Sequence, residues 1–147
     1  LYLRTGRRDY FCFAEAKSRH TEEVDFVDRL PREAQVHPHP NRPARCEGQM
    51  HYHSATHWSG PYVTSHSLIS GIATHYLLTG ERRAREVALA MADNLVRNQT
   101  PNGWVCESGL HREITGAVCT LLEAYQLTWA EPYRALALNT LTLLRTL

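Results

Sequence analysis

Two kinds of helical stripe alternate along the chain. From Leu68 to Leu78, the positions Leu68, Ile69, Ile72, Ala73, Tyr76, Leu77 and Leu78 leave almost no polar face, the pattern of a helix covered on several sides. Beyond Thr79-Gly80, residues Ala84, Val87, Ala88, Met91 and Leu95 fall at helical spacing, with Arg82, Arg83, Arg85, Glu86 and Asp93 left for solvent. Together they predict a hairpin of an inner and an outer helix, with Gly80 suited to the left-handed position that ends the first. The contrast returns downstream: Ile114 to Leu127 carries one charge, Glu123, and Pro132 suits the first turn of a second outer helix.

The turn between the helices is also repeated. Tyr2-Leu3-Arg4-Thr5-Gly6 matches Tyr76-Leu77-Leu78-Thr79-Gly80, and a worn third copy reads Tyr125-Gln126-Leu127-Thr128-Trp129. At a shift of 49, Tyr76, Leu78, Thr79, Arg85, Ala88, Leu89 and Leu95 meet Tyr125, Leu127, Thr128, Arg134, Ala137, Leu138 and Leu144. A period near 50 is one helical hairpin per repeat. The expected layout is a partial first hairpin over 1–28, with its outer helix from about Arg8 to Asp28, a long loop over 29–61, a hairpin over 62–97, a loop over 98–112 and a hairpin over 113–147.

The first and second copies lie 74 residues apart, so the first connection holds about 25 extra residues, within a stretch carrying Pro31, Pro38, Pro40, Pro43 and Pro61. A loop longer than about 12 to 15 residues in a compact domain is usually functional or disordered. This one ends in MHYHSATHWSGPYVTSHSLISG, Met50 to Gly71, which holds four of the nine histidines: His51, His53, His57 and His66. His66 is expected at or just after the start of the inner helix, where Thr64 or Ser65 can cap. Trp104, Glu107, His111, Arg112 and Glu113 precede the next inner helix, so both loops are expected at one mouth of an all-α, incomplete arc of an (α/α) toroid.

Composition narrows the partners. Sixteen basic and fifteen acidic residues leave a formal charge of +1, with no electrostatic footprint for duplex nucleic acid or an anionic membrane. No stretch approaches the roughly 20 consecutive apolar residues that span a bilayer. Cys12, Cys46, Cys106 and Cys119 form no C-x-x-C pair; Cys12 and Cys119 are expected in the core, while Cys46 and Cys106 could pair in an oxidising compartment. His20 and His75, within helices, are expected as packing or surface residues.

The run SHSLISGIATHYLLTGE, preceded by HYHSATHWSGP and by AEAKSRHTEEVDF, resembles the toroid domain of the rhamnogalacturonan exolyases, over most of residues 1–100. Its Tyr-x-x-Thr-Gly part is shared by many six-hairpin toroids, including glycoside hydrolases; its histidine-rich part is more distinctive. The resemblance implies β-elimination on an acidic polysaccharide or oligosaccharide, with His66, His57 and Tyr62 at the motif's polar positions, and a toroid whose remaining hairpins lie outside this chain. Where an aromatic and an acidic residue are expected after Ser-His, this chain has Leu68 and Ser70.

The chemistry of the residues points the same way. A lyase needs a neutral His or ionised Tyr as base, a donor or cation for the uronate carboxylate, and an acid for the leaving oxygen. His57 or His66, with Tyr62 and Arg112, offers that set. His51, His53, His111, Trp58 and Trp104 are the expected substrate contacts. A glycosidase instead needs two carboxyl groups across the scissile bond, and only Glu47, Glu107 and Glu113 lie near the expected mouth. No cofactor is required; the alternative is a divalent metal at His51, His53 and His57, whose H-x-H-x-x-x-H spacing suits neutral imidazole ligands. A non-catalytic helical repeat that binds protein or glycan is the reading from another class.

Overall fold

The computed structural model describes residues 1–28, 47–50, 52–54, 57–60, 68–99 and 111–145; for 52–54, 57–60, 111–113 and 143–144 the description is of the backbone alone. The repeated turn is a helix-ending device. Helix α1 spans Tyr2–Thr5, α2 Arg8–His20, α3 Ser70–Thr79, α4 Arg82–Arg97, α5 His111–Thr128 and α6 Glu131–Leu144. After α3, Gly80 takes a left-handed φ of 72° and its amide donates to the Tyr76 carbonyl at 2.7 Å. The Thr79 hydroxyl donates back to the His75 carbonyl at 2.7 Å and accepts from the Glu81 amide at 3.1 Å. These bonds occupy carbonyls that the end of a helix would otherwise leave without partners.

Both other copies make the same three bonds. Gly6, at φ 66°, donates to Tyr2 at 2.8 Å, while the Thr5 hydroxyl donates to Leu1 at 3.0 Å and accepts from Arg7 at 3.3 Å. Trp129 donates to Tyr125 at 2.6 Å, while the Thr128 hydroxyl donates to Ala124 at 2.8 Å and accepts from Ala130 at 3.2 Å. Trp129 does so at φ 56°, among the described residues the one non-glycine with positive φ. The worn third copy therefore keeps the turn without its glycine.

The shift of 49 also holds for burial. Ala84, Val87, Ala88 and Met91 of α4 are buried, as are their counterparts Tyr133, Leu136, Ala137 and Thr140 of α6. Ile69 and Ile72, at and after the start of α3, are buried like Val118 and Leu121 of α5. Helix α3 packs on α4, α4 on α5 and α5 on α6; in addition α3 meets α5 and α4 meets α6. These residues form one core, with Phe26 from the first connection added to it. Each fully buried aliphatic side chain in it contributes about 1.5–3 kcal/mol relative to exposure.

Several expectations are corrected. Helix α3 begins at Ser70 with Ile69 at its N-cap, so His66 lies upstream of the helix start, and Ser70's side chain reaches across to Glu123 Oε1 at 2.5 Å. Helix α3 is also less covered than its composition suggests: α2 and α4 pack against it, but Leu77 is 71% exposed and Leu78 44%. Cys12 and Cys119 are free thiols at exposed positions and not core residues. Helix α5 starts at His111, placing His111 and Arg112 inside its first turn instead of before it. The first outer helix gives way after His20 to one π-helical turn, Thr21–Asp25, closed by the Phe26 amide donating to Thr21 at 3.0 Å.

The long connection has structure at its base. Val27 donates to Gln49 at 3.0 Å, Gly48 donates to Val27 at 2.9 Å, and Phe26 bridges to Met50. Asn94 and Arg97 of α4 both donate to the Glu47 carbonyl, at 2.6 and 3.0 Å. The two ends of the insertion are thus clamped together on α4. Beyond the clamp, β1 (Tyr52–Ser54) and β2 (His57–Gly60) pair antiparallel, an element that the histidine-rich composition did not announce.

Candidate functional site

Of the residues singled out for chemistry, His51, Tyr62, His66 and Trp104 lie outside the described residues. For His53, His57 and Trp58 the ladder supplies register: His53 pairs with Trp58 and Ser54 with His57, with an irregularity between Tyr52 and His53. Successive pairs of an antiparallel ladder belong to opposite faces. Position 53 therefore shares its face with 58, and position 57 shares the other with 54. His111 and Arg112 begin α5. Residues 61–67 lead into α3 and residues 100–110 into α5, so the two candidate loops enter equivalent, mutually packed helices.

The described residues hold a second polar cluster, at the seam between the first and second repeats. Extending the repeat register to α2 by the shift of 74 places Glu15, Ser18, Arg19 and Glu22 opposite Leu89, Ala92, Asp93 and Val96 of α4. The α4 set lies three and four residues apart and so forms one stripe. In the first repeat the same stripe is polar, and it is satisfied across the seam. Glu22, 1% exposed, accepts from the Ser18 hydroxyl at 2.8 Å and faces His75 Nδ1 at 3.2 Å.

His75 Nε2 has no hydrogen bond and stands 3.5 Å from Glu81 Oε2, which is itself 3.6 Å from Arg19. Asp25, fully buried, has Lys17 Nζ at 3.6 Å and His20 Nε2 at 3.3 Å. Arg83 lies 3.8 Å from both Glu23 and Asp28, and its guanidinium sits over the Phe26 ring, 5.6 Å from the centroid. Arginine here serves as both ion-pair partner and planar lid on an aromatic ring.

Beside this cluster, α1, α2 and α3 enclose a groove of about 240 Å³ whose walls include Tyr2, Tyr10, Phe11, Phe13, Thr74 and His75. A buried imidazole oriented by a carboxylate, with its far nitrogen free of hydrogen bonds, is a form that general bases take. In this case both groups also close the seam between two repeats, a structural duty that accounts for their burial. The signal for them was present in part in the sequence: the repeat register puts Glu22 opposite Val96 of the second copy, although Arg145 stands there in the third, and it puts His75 opposite Ala124.

Among the described residues no group of three or more His, Cys, Asp or Glu side chains is arranged to hold a metal ion, and the side chains of His51, His53 and His57 are outside them. No described helix is long and apolar enough to cross a membrane. No family model matches the chain, and comparisons with curated proteins and with solved structures return no match.

Proposed function

We propose that this chain is an arc of an (α/α) toroid lyase acting on a uronate-containing polysaccharide of the rhamnogalacturonan kind. The observation that supports this best is the repeat itself: the histidine-rich stretch before α3, and the segment with Trp104 before the α5 head that carries His111 and Arg112, lead into equivalent inner helices that pack together. Residues far apart in sequence are thereby offered to a common end of the stack.

In this reading His66 or His57 removes the proton on the carbon beside the uronate carboxylate. Arg112 and the neighbouring histidines His51, His53 and His111 offset the charge that then builds on that carboxylate. The bond to the glycosidic oxygen breaks as the carbon–carbon double bond forms, and Tyr62 returns a proton to the departing oxygen. Trp58 and Trp104 stack on sugar rings, whose apolar faces suit indole. No metal is required by these steps.

The test is ultraviolet absorbance on mixing the protein with rhamnogalacturonan, polygalacturonate or ulvan, because elimination leaves a conjugated double bond and hydrolysis does not. A rise that His66→Ala abolishes, with helical content unchanged, supports the assignment. New reducing ends without absorbance would replace the lyase with a glycoside hydrolase on the same scaffold.

A further inference from the structure

The turn between α5 and α6 carries a residue that its own backbone disfavours. Trp129 stands where the other two copies have Gly6 and Gly80, and it takes the same left-handed conformation, φ 56° against 66° and 72°. A β-carbon strains that conformation and glycine does not, so the turn alone is better served by the residue of the other copies. The Trp129 amide makes the bond to Tyr125 that glycine makes elsewhere, and the side chain takes no part in it. The core does not use the indole either: Tyr125, Leu127 and Ala130 beside it pack against the core, while Trp129 is 74% exposed. Strain that the fold does not require gathers where a side chain serves binding.

The exposure is a property of the turn and not of where the third repeat falls in the chain. Gly80 has a repeat on each side, yet Leu77, Leu78, Thr79 and Gly80 are all exposed and a Cβ at Gly80 meets nothing within 4 Å. By the same register, a hairpin packed beyond α6 would leave Trp129 in equally open space.

We infer that Trp129, steadied by Tyr125, is a binding platform for the pyranose ring of a sugar. The two rings meet edge to face, with centroids 5.2 Å apart and planes at 72°, a contact that uses at most one of the two indole faces. Gln126, Glu131 and Arg134, close to it in the chain, are exposed, and the last two pair at 2.8 Å. A pyranose offers an apolar C–H face to an indole and a rim of hydroxyls to such polar groups. One ring framed by polar residues is far smaller than the roughly 800 Å² that each partner of a stable protein complex buries. Arg112 and Trp129 stand near opposite ends of α5, roughly 25 Å apart at about 1.5 Å of rise per residue. The platform is therefore separate from the proposed cleavage site and does not depend on the lyase reading.

The test is nuclear magnetic resonance of the indole N–H groups of the nitrogen-15-labelled chain, titrated with rhamnogalacturonan oligosaccharides and, separately, with xylohexaose. The chain has three tryptophans, and the resonance missing from the Trp129→Gly variant belongs to Trp129. That resonance is expected to shift saturably with at least one of the two sugars, whether or not the ultraviolet assay detects cleavage. The variant restores the residue of the other copies, so it should keep its helical content and melt no lower than the parent. A Trp129 resonance that both sugars leave unmoved, or that drifts without saturating, would overturn the proposal. A variant that melts well below the parent would show that the indole is kept for packing, and would overturn it as well.

Discussion

His75 Nδ1 lies 3.2 Å from Glu22 Oε1 across the seam between the first two repeats, with both side chains almost fully buried. Removing one member of a buried pair strands the other, at a cost of about 3 kcal/mol or more. Glu22→Val and His75→Ala each install the residue found at the equivalent position of another repeat, Val96 and Ala124. Each single change is expected to destabilise the chain by about 3 kcal/mol. The double variant should lose less than the sum by at least about 1 kcal/mol, since groups in contact do not add. Urea denaturation of the four proteins gives the coupling, and simple additivity would contradict the seam.

Gly48 and Gly80 both have positive φ, 89° and 72°, but their surroundings differ. A Cβ at Gly80 meets nothing within 4 Å, whereas at Gly48 it would stand 2.5 Å from the Ala90 carbonyl oxygen and 2.8 Å from Asn94 Cβ. Gly80→Ala should therefore cost only the left-handed penalty of about 1–2 kcal/mol. Gly48→Ala adds a clash with α4 backbone and should cost about 3 kcal/mol or more, with the clamp of residues 47–50 loosened. Thermal melts of the two variants compare the effects directly.

Tyr133 carries a pH signature. Burial, and then the hydrogen bond and charge of Asp93, push its phenol above the ordinary value of 10.0. The folded state thus holds the phenolic proton more tightly than the unfolded state. The stabilisation is fully present below the unfolded value and is lost as pH rises from about 10 through the folded value. Stability measured from pH 8 upward should fall beyond about pH 10, and Tyr133→Phe should flatten that fall. The same substitution should cost about 1 kcal/mol at neutral pH through the lost bond to Asp93.

The hairpin repeat was legible because its signals are local. Tyr-x-x-Thr-Gly ends a helix through bonds within five residues of one another, and the buried stripe of α4 follows from periodicity alone. Exposure was harder to read. Cys12, Cys119, Leu77 and Leu78 sit in apolar runs, but whether a neighbour covers them depends on which helices are present beside them. The start of α3 at Ser70 was misplaced for a related reason, since the presence of cap-forming residue types does not by itself fix where a helix begins. The Glu22–His75 pair was missed because His75 was judged on its own helix and Glu22 was not singled out, and residues 53 apart in sequence carry no local signal of contact. Of the candidate site, the structure supplies the register of His53, His57 and Trp58 and the placement of His111 and Arg112 at the head of α5.

The most direct test of the central claim is mass spectrometry of the products formed from rhamnogalacturonan in water enriched in oxygen-18. Elimination breaks the glycosidic bond without adding water, so one product should be lighter than the hydrolytic fragment by one water and no label should enter either at the cleavage site. Products that carry one oxygen-18 atom at the new end would show that water had attacked the bond, and the lyase assignment would fall.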